Sequence, residues 1–280
     1  MERRKLLSML LCLAAVAASL YSLACTKQNA LGRKSVSFVP ASLLTSQAKT
    51  FFEEEKKKKP ISQNQRWQEI TQRVGDRLIA VAQENYGQYC RGFQWEVVLF
   101  RAPETKNAYC APGGKIGIYS GILPVCETEA GLAAVMGHEI AHALLNHGQE
   151  RASQEMGSSV LLLGAQKYME KKDIDSSSRK KILVALGLGA KFGLVLPYSR
   201  RHEHEADRMG LRLMALAGYE PSEAPNLWRR MQALSGAQIP EFFSTHPSSG
   251  NRVRRLERLQ GEVQPLYEDS PIKYETGELL

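Results

Sequence analysis

The sequence predicts a mainly α fold with a small β-sheet, an α+β domain. Three observations carry that prediction. Apolar residues recur at helical spacing over 67–82, 127–147 and 200–217. Only two short segments, 95–100 and 115–119, read as strands. No internal repeat of roughly 20–50 residues is present, which excludes solenoids and propellers. The 280 residues are 43% hydrophobic and 24% charged. That is an ordinary globular composition, and it excludes bulk disorder, collagen and a disulfide-rich miniprotein. A mean hydropathy of -0.31, with one apolar run near spanning length, excludes a polytopic membrane protein.

The elements follow in chain order. Arg3-Arg4-Lys5 precede an uncharged run that continues to Cys25, with small residues at Ser22 and Ala24. This pattern reads as an export signal over residues 1–24. Cys25, after Ser22-Leu23-Ala24, resembles the acceptor of a lipoprotein box and is the expected lipidation site. Plain secretion and an uncleaved anchor are the alternatives. Residues 25–50 are polar and read as a tether, 51–262 as the domain and 263–280 as a polar C-terminal tail.

Within the domain, Glu53, Glu54 and Glu55 stand four residues before Lys57, Lys58 and Lys59. Such pairs mark a solvated helix, here ending before Pro60. Trp67, Ile70, Val74, Leu78 and Val81 make the apolar side of a second helix. Pro112-Gly113-Gly114 is a turn into the strand over 115–119. Gly117 would weaken a central strand, so an edge position is expected. The helix over 127–147 opens on Glu127 and Glu129 and has Gly148 as its stop. Residues 160–164 and 182–196 read as buried helices around a mobile charged loop, 167–181. The helix over 200–217 stops at Gly218. A short helix and the polar tail follow Arg252. Cys90, Cys110 and Cys126 lack CxxC spacing and are expected as buried small residues or one disulfide. The net charge of +8 is spread, without a basic stripe interleaved with aromatics. No nucleic-acid partner is expected.

The histidines carry the chemistry. His138-Glu139-Ile140-Ala141-His142 is H-E-x-x-H. On a helix the two imidazoles stand one above the other and can hold one Zn²⁺, with Glu139 beside the metal's water. A catalytic zinc takes a third protein ligand and keeps one open position. The cluster His202-Glu203-His204-Glu205-Ala206-Asp207 is the densest other source of ligands. Glu203 and Asp207 share a helix face, so Glu203 as ligand and Asp207 as acceptor for a histidine N–H would complete a site. Spacing alone leaves His202, His204 and Glu205 in competition with Glu203. Zinc on this donor set lowers the pKa of its water, and Glu139 is the expected general base. If 115–119 is an edge strand, Lys115, Ile116, Gly117, Ile118 and Tyr119 would bind an extended substrate by β-addition.

These residues resemble a family. His138 to His142, then Glu203 to Asp207 with Gly210, is similar to the zinc metallopeptidases that include the CAAX prenyl endopeptidase, HtpX and the mitochondrial Oma-type protease. Asn107-Ala108-Tyr109, Pro112-Gly113-Gly114, the segment 119–123, and His246-Pro247 followed by Arg252 resemble its small envelope members, of the LoiP and BepA type. The resemblance implies a gluzincin-like domain, in which an H-E-x-x-H helix and a second ligand helix hold one zinc. It makes Glu203 the third ligand. It gives His246 two opposed roles, a switch that closes the open metal position or a donor to the oxyanion, and makes Arg252 a second candidate donor. It implies an endopeptidase for misfolded or misassembled envelope proteins, with a latched, chaperone-like scaffold as the rival. With the export signal, it places the chain in a bacterial envelope, facing the periplasm as a lipoprotein, with the outer membrane favoured.

Overall fold

The computed structural model describes residues 25–190, 196–234, 241–242, 246 and 250–280. The expected signal, part of 182–196, and Pro247 lie outside the described residues.

The chain enters through an antiparallel hairpin of β1 (Cys25–Gln28) and β2 (Lys34–Ser37). Asn29 builds the turn: its side-chain oxygen accepts from the N–H groups of Leu31 and Arg33, each at 3.0 Å. A side chain that takes over backbone donors fixes a turn. Residues 25–50, expected as a tether, thus fold as this hairpin and the first half of α1 (Ala41–Lys58). α1 ends before Pro60, with Glu54–Lys58 and Glu55–Lys59 pairs at 3.0 Å. Asn64 caps α2 (Gln65–Tyr86), which buries Ile70, Val74 and Leu78.

Strands β3 (Glu96–Phe100), β4 (Ala108–Ala111) and β5 (Lys115–Tyr119) form one sheet in the order β3-β5-β4. β3 runs parallel to β5, and β4 runs antiparallel to it. The expected edge strand is therefore central, and it is buried along its whole length. Gly117 is tolerated there because Tyr109 of β4 lies across it. A Cβ at that position would fall 2.5 Å from the tyrosine ring. The aromatic ring fills the face that glycine leaves open.

After the short α3 (Leu123–Cys126), Thr128 caps α4 (Glu129–Leu144) by accepting from the Gly131 N–H. The helix expected over 127–147 is split. Asn146 adopts a left-handed φ of 58°, and α5 (His147–Lys171) begins there, so Gly148 lies inside a helix rather than ending one. Asparagine is among the few non-glycine residues that enter that conformation readily. α5 and α6 (Ser176–Ala190) pack on each other through Ala165, Met169, Ile182, Leu183 and Leu186. Among the described residues the expected burial of 160–164 and of 182–188 is incomplete: Val160, Leu163, Val184 and Leu188 are 38% to 58% exposed. Where these two helices pack only on each other, they cover only their inner stripe. The charged stretch over 167–181 is largely helical, and Asp175 caps α6 by accepting from the Ser178 N–H at 2.9 Å.

Helices α7 (Leu196–Leu216), α8 (Glu223–Leu234) and α9 (Arg252–Glu268) complete the domain around α4. α4 and α7 touch backbone to backbone. A Cβ on Gly137 would lie 3.0 Å from the Gly210 carbonyl oxygen, and one on Gly210 would lie 2.8 Å from the His138 nitrogen. Only glycine permits that approach. Residues 263–280, expected as a polar tail, are docked instead. The carbonyls of Glu278 and Thr276 accept from the N–H groups of Glu129 and Ala130 at 2.9 and 3.0 Å. Those donors belong to the first turn of α4 and have no partner within the helix. Cys90, Cys110 and Cys126 are free thiols. Among the described residues no helix is long and apolar enough to cross a membrane.

Candidate metal centre

α4 and α7 aim their functional side chains at one point. His138 and His142 sit one turn apart on α4, and their Nε2 atoms are 3.1 Å apart. Glu203 reaches from α7 to within 3.3 Å of His138 Nε2 and 3.4 Å of His142 Nε2. His246 Nδ1 lies 3.3 Å from His138 Nε2 and 3.2 Å from Glu203 Oε1. All four residues are buried, and one ligand atom from each falls within 4.8 Å of the others. Tetrahedral ligands about 2.0–2.1 Å from zinc are about 3.4 Å apart. Observed spacings of 3.1 to 3.4 Å among these atoms fit that group.

Of the neighbours that competed by spacing, Glu203 alone enters the site. His202 Nε2 faces Glu150 at 3.0 Å, Glu205 faces His147 at 3.1 Å, and His204 is exposed. Asp207, one turn after Glu203, lies 3.2 Å from His138 Nδ1. Arg252 is fully buried over the Trp228 ring, 3.4 Å from its centroid. Its Nη1 donates to Glu203 at 3.3 Å and its Nε to Asp207 at 3.0 Å. The guanidinium thus ties both carboxylates to the start of α9.

Burial and charge set the protonation states. Burial holds the His142 imidazole well below its ordinary value, so its lone pair is available to a metal. Burial and the Arg252 charge pull His138 down, but bonds to Asp207 and Glu203 outweigh them and raise it to about 9. An ion binding there would displace that proton. Burial opposes ionisation of Glu203, yet the histidines around it hold its carboxyl far below the usual range. Asp207 is likewise held low, against burial, by Arg252 and His138. Glu139 moves the other way: burial raises its carboxyl. Its Oε1 lies 3.3 Å from His246 Nε2 without hydrogen-bond geometry and has no hydrogen-bond partner.

The site opens into a cleft of about 500 Å³, lined by Asn107 to Gly113, Glu139, His142, Asn146 and His246. The expected β-addition surface is corrected here. β5 already has a strand on each side, and of its residues Tyr119 alone lines the cleft. Lys115 is instead paired with Glu96 at 3.0 Å. The strand at the cleft is β4, which is paired on one side only among the described residues. Sequence reasoning missed Tyr109 and Cys110 as cleft residues, and His147, whose Nδ1 lies 2.9 Å from His142 Nδ1. The signal for His147 was its position five residues beyond His142.

Comparison with known proteins agrees with this geometry. Residues 64–260 match the model of peptidase family M48. The chain is 37% identical over 210 residues to the mitochondrial metalloendopeptidase OMA1 of Schizosaccharomyces pombe, covering 74% of this chain and 57% of that protein. To the mitochondrial metalloendopeptidase OMA1 of Saccharomyces cerevisiae it is 33% identical, covering 64% and 51%. To the β-barrel assembly-enhancing protease of Escherichia coli it is 24% identical, covering 57% and 33%. The chain therefore spans about half the length, or less, of these relatives. The expected placement as a bacterial envelope lipoprotein is overturned by the same findings. The relatives at 33% identity and above are mitochondrial proteins, whereas the bacterial one stands at 24%. Cys25, on which that placement leaned, is the first residue of β1. The ligand geometry and the family match lead to one conclusion: the chain belongs to peptidase family M48.

Proposed function

We propose that the chain is a zinc-dependent endopeptidase that cleaves extended segments of misfolded or misassembled proteins. One observation carries the reading. Two histidines and a glutamate converge in a buried site, beside a glutamate whose carboxylate oxygen has no hydrogen-bond partner. His138, His142 and Glu203 would hold the ion. Zinc supplies Lewis acidity to a water and to the scissile carbonyl when it is bound. Glu139 takes the proton from the attacking water and returns it to the leaving amine. Asp207 accepts from His138 Nδ1–H and fixes the tautomer that leaves Nε2 free for metal. Arg252 holds Glu203 and Asp207 in place. The free side of β4 offers backbone partners to an extended chain, so recognition rests on unfolded backbone more than on side-chain identity.

Casein cleavage by the full chain, beside Glu139→Gln with zinc quantified in both, tests this. The expected result is cleavage by the wild type alone, with equal zinc in both proteins. A cleaving Glu139→Gln would remove the general base. Absence of zinc from both would remove the ligand assignment.

A second reading is favoured by His246. Its Nδ1 stands among the ligand atoms, where a catalytic zinc keeps its open position. The site is then latched, and the protein acts as a chaperone-like scaffold until His246 withdraws. His246→Ala should raise casein cleavage severalfold if His246 is a latch. A fall would make it a donor to the oxyanion.

A further inference from the structure

We propose that the β1–β2 hairpin positions the metal centre. Arg33, at its turn, fixes the orientation and tautomer of His142 through Glu205 and His147. The proposal rests on reading His142 as a metal ligand through Nε2. Arg33 and the rest of the hairpin lie outside the 64–260 segment that carries the family match, whereas the groups they reach, His147, Glu150, His202 and Glu205, lie inside it.

The geometry is a continuous chain of contacts. His142 Nε2 faces the other ligand atoms, so its outer nitrogen is Nδ1. When Nε2 lends its lone pair to a metal, Nδ1 must carry the hydrogen. His147 Nδ1 lies 2.9 Å away and is the acceptor for it. His147 then carries its own hydrogen on Nε2, which lies 3.1 Å from Glu205 Oε2. Arg33 holds that carboxylate from Nε and from Nη2, the latter at 3.0 Å. Every tautomer along the path is fixed by the step before it, ending on a guanidinium that cannot lose its charge.

A second branch braces the first. His202 stacks on His147 with ring centroids 4.1 Å apart and planes at 16°. His202 Nε2 meets Glu150 at 3.0 Å, and the Arg33 Nη2 donates to Glu150 at 2.8 Å. One arginine thus ties a carboxylate on α5 to a carboxylate on α7. The hairpin holds it there. Asn29 Nδ2 donates to Glu205 at 3.2 Å, and Ser153 Oγ accepts from the N–H groups of Phe38 and Val39 at 3.2 Å each. His147, Glu150 and His202 are all buried. The hydrogen bonds of buried charged groups are strong, and their loss exposes the next group in the chain.

Groups that hydrogen-bond the outer nitrogen of a metal-bound histidine raise its basicity, and losing them typically weakens metal binding ten- to a hundredfold. The test is zinc affinity of the full chain by competition with a chromogenic chelator. Wild type is compared with Glu205→Gln, Arg33→Met, Arg33→Lys and the double variant Glu205→Gln/Arg33→Met. Melting of the chelator-treated proteins is followed in parallel by circular dichroism. Each single variant should bind zinc ten- to a hundredfold more weakly. The double variant should be no weaker than the worse single, because both act along one path, and Arg33→Lys should recover part of the loss. Variants that melt earlier but bind zinc as wild type does would make the hairpin a stabilising element only and overturn the proposal. If Arg33→Met fails to fold, the near-isosteric Glu205→Gln decides by the same criterion. A wild type that binds no zinc would remove the metal reading itself, a separate failure from unchanged affinity in the variants.

Discussion

Glu139 must ionise where water is nearly excluded, and that fixes the sign of two pH effects. Burial raises its carboxyl above the ordinary 4.5. A general base works only when deprotonated, so kcat/KM should fall on the acid side with an apparent pKa above 4.5. A pH profile on a fluorogenic peptide whose acid limb lies at or below that value would contradict the assignment. Stability moves oppositely. The native state holds this proton more tightly than the unfolded chain, so its loss costs stability as pH rises through the native pKa. Glu139→Gln should therefore melt at a higher temperature than wild type at neutral pH, with the gap closing toward pH 4. The identity of these residues was legible in the sequence, because H-E-x-x-H is a local pattern on one helix. The choice of Glu203 over three neighbours came from the family resemblance and not from spacing. It depends on which face of α7 meets α4, a tertiary fact.

Elements show the same division more sharply. α2 was readable from its period, since Ile70, Val74 and Leu78 face one core. The place of β5 was not readable. Strand order depends on pairing across sequence distance, and the glycine that argued for an edge is covered by a tyrosine of the next strand. The hairpin at 25–37 looked like a tether because its stabilising partners, Glu150 and Glu205, lie more than a hundred residues away. The α4–α7 contact yields a prediction at this scale. Gly210→Ala places a methyl against the His138 backbone and must push the two ligand helices apart. Overpacking of this kind costs about 1–3 kcal/mol. Here it should also weaken zinc binding, because two ligands sit on α4 and one on α7. A chelator titration beside a urea melt separates the two effects, and unchanged zinc affinity would show that the helices separate without moving the ligands.

At the scale of the whole molecule, a metal held between α4 and α7 couples the site to the core. A ligand that binds only the native state stabilises by mass action. Chelation should lower the melting temperature by roughly 5–15 °C, the shift expected for a few kcal/mol in a domain of this size. A melt by differential scanning calorimetry with and without chelator checks this, and no shift would mean that α4 and α7 hold together unaided. The α5–α6 hairpin lies between the two ligand helices in the chain, and beyond the first turns of α5, which carry His147, Glu150 and Ser153, its two helices pack on each other. Its length therefore matters little to the site it interrupts. The entropy of closing a loop grows only with the logarithm of its length, about 0.6 kcal/mol for each doubling. A folded insert spliced into the turn between Lys172 and Asp175 would leave the zinc ligands almost undisturbed. The same freedom lets this segment lengthen or diverge over evolutionary time while the catalytic centre stays as it is.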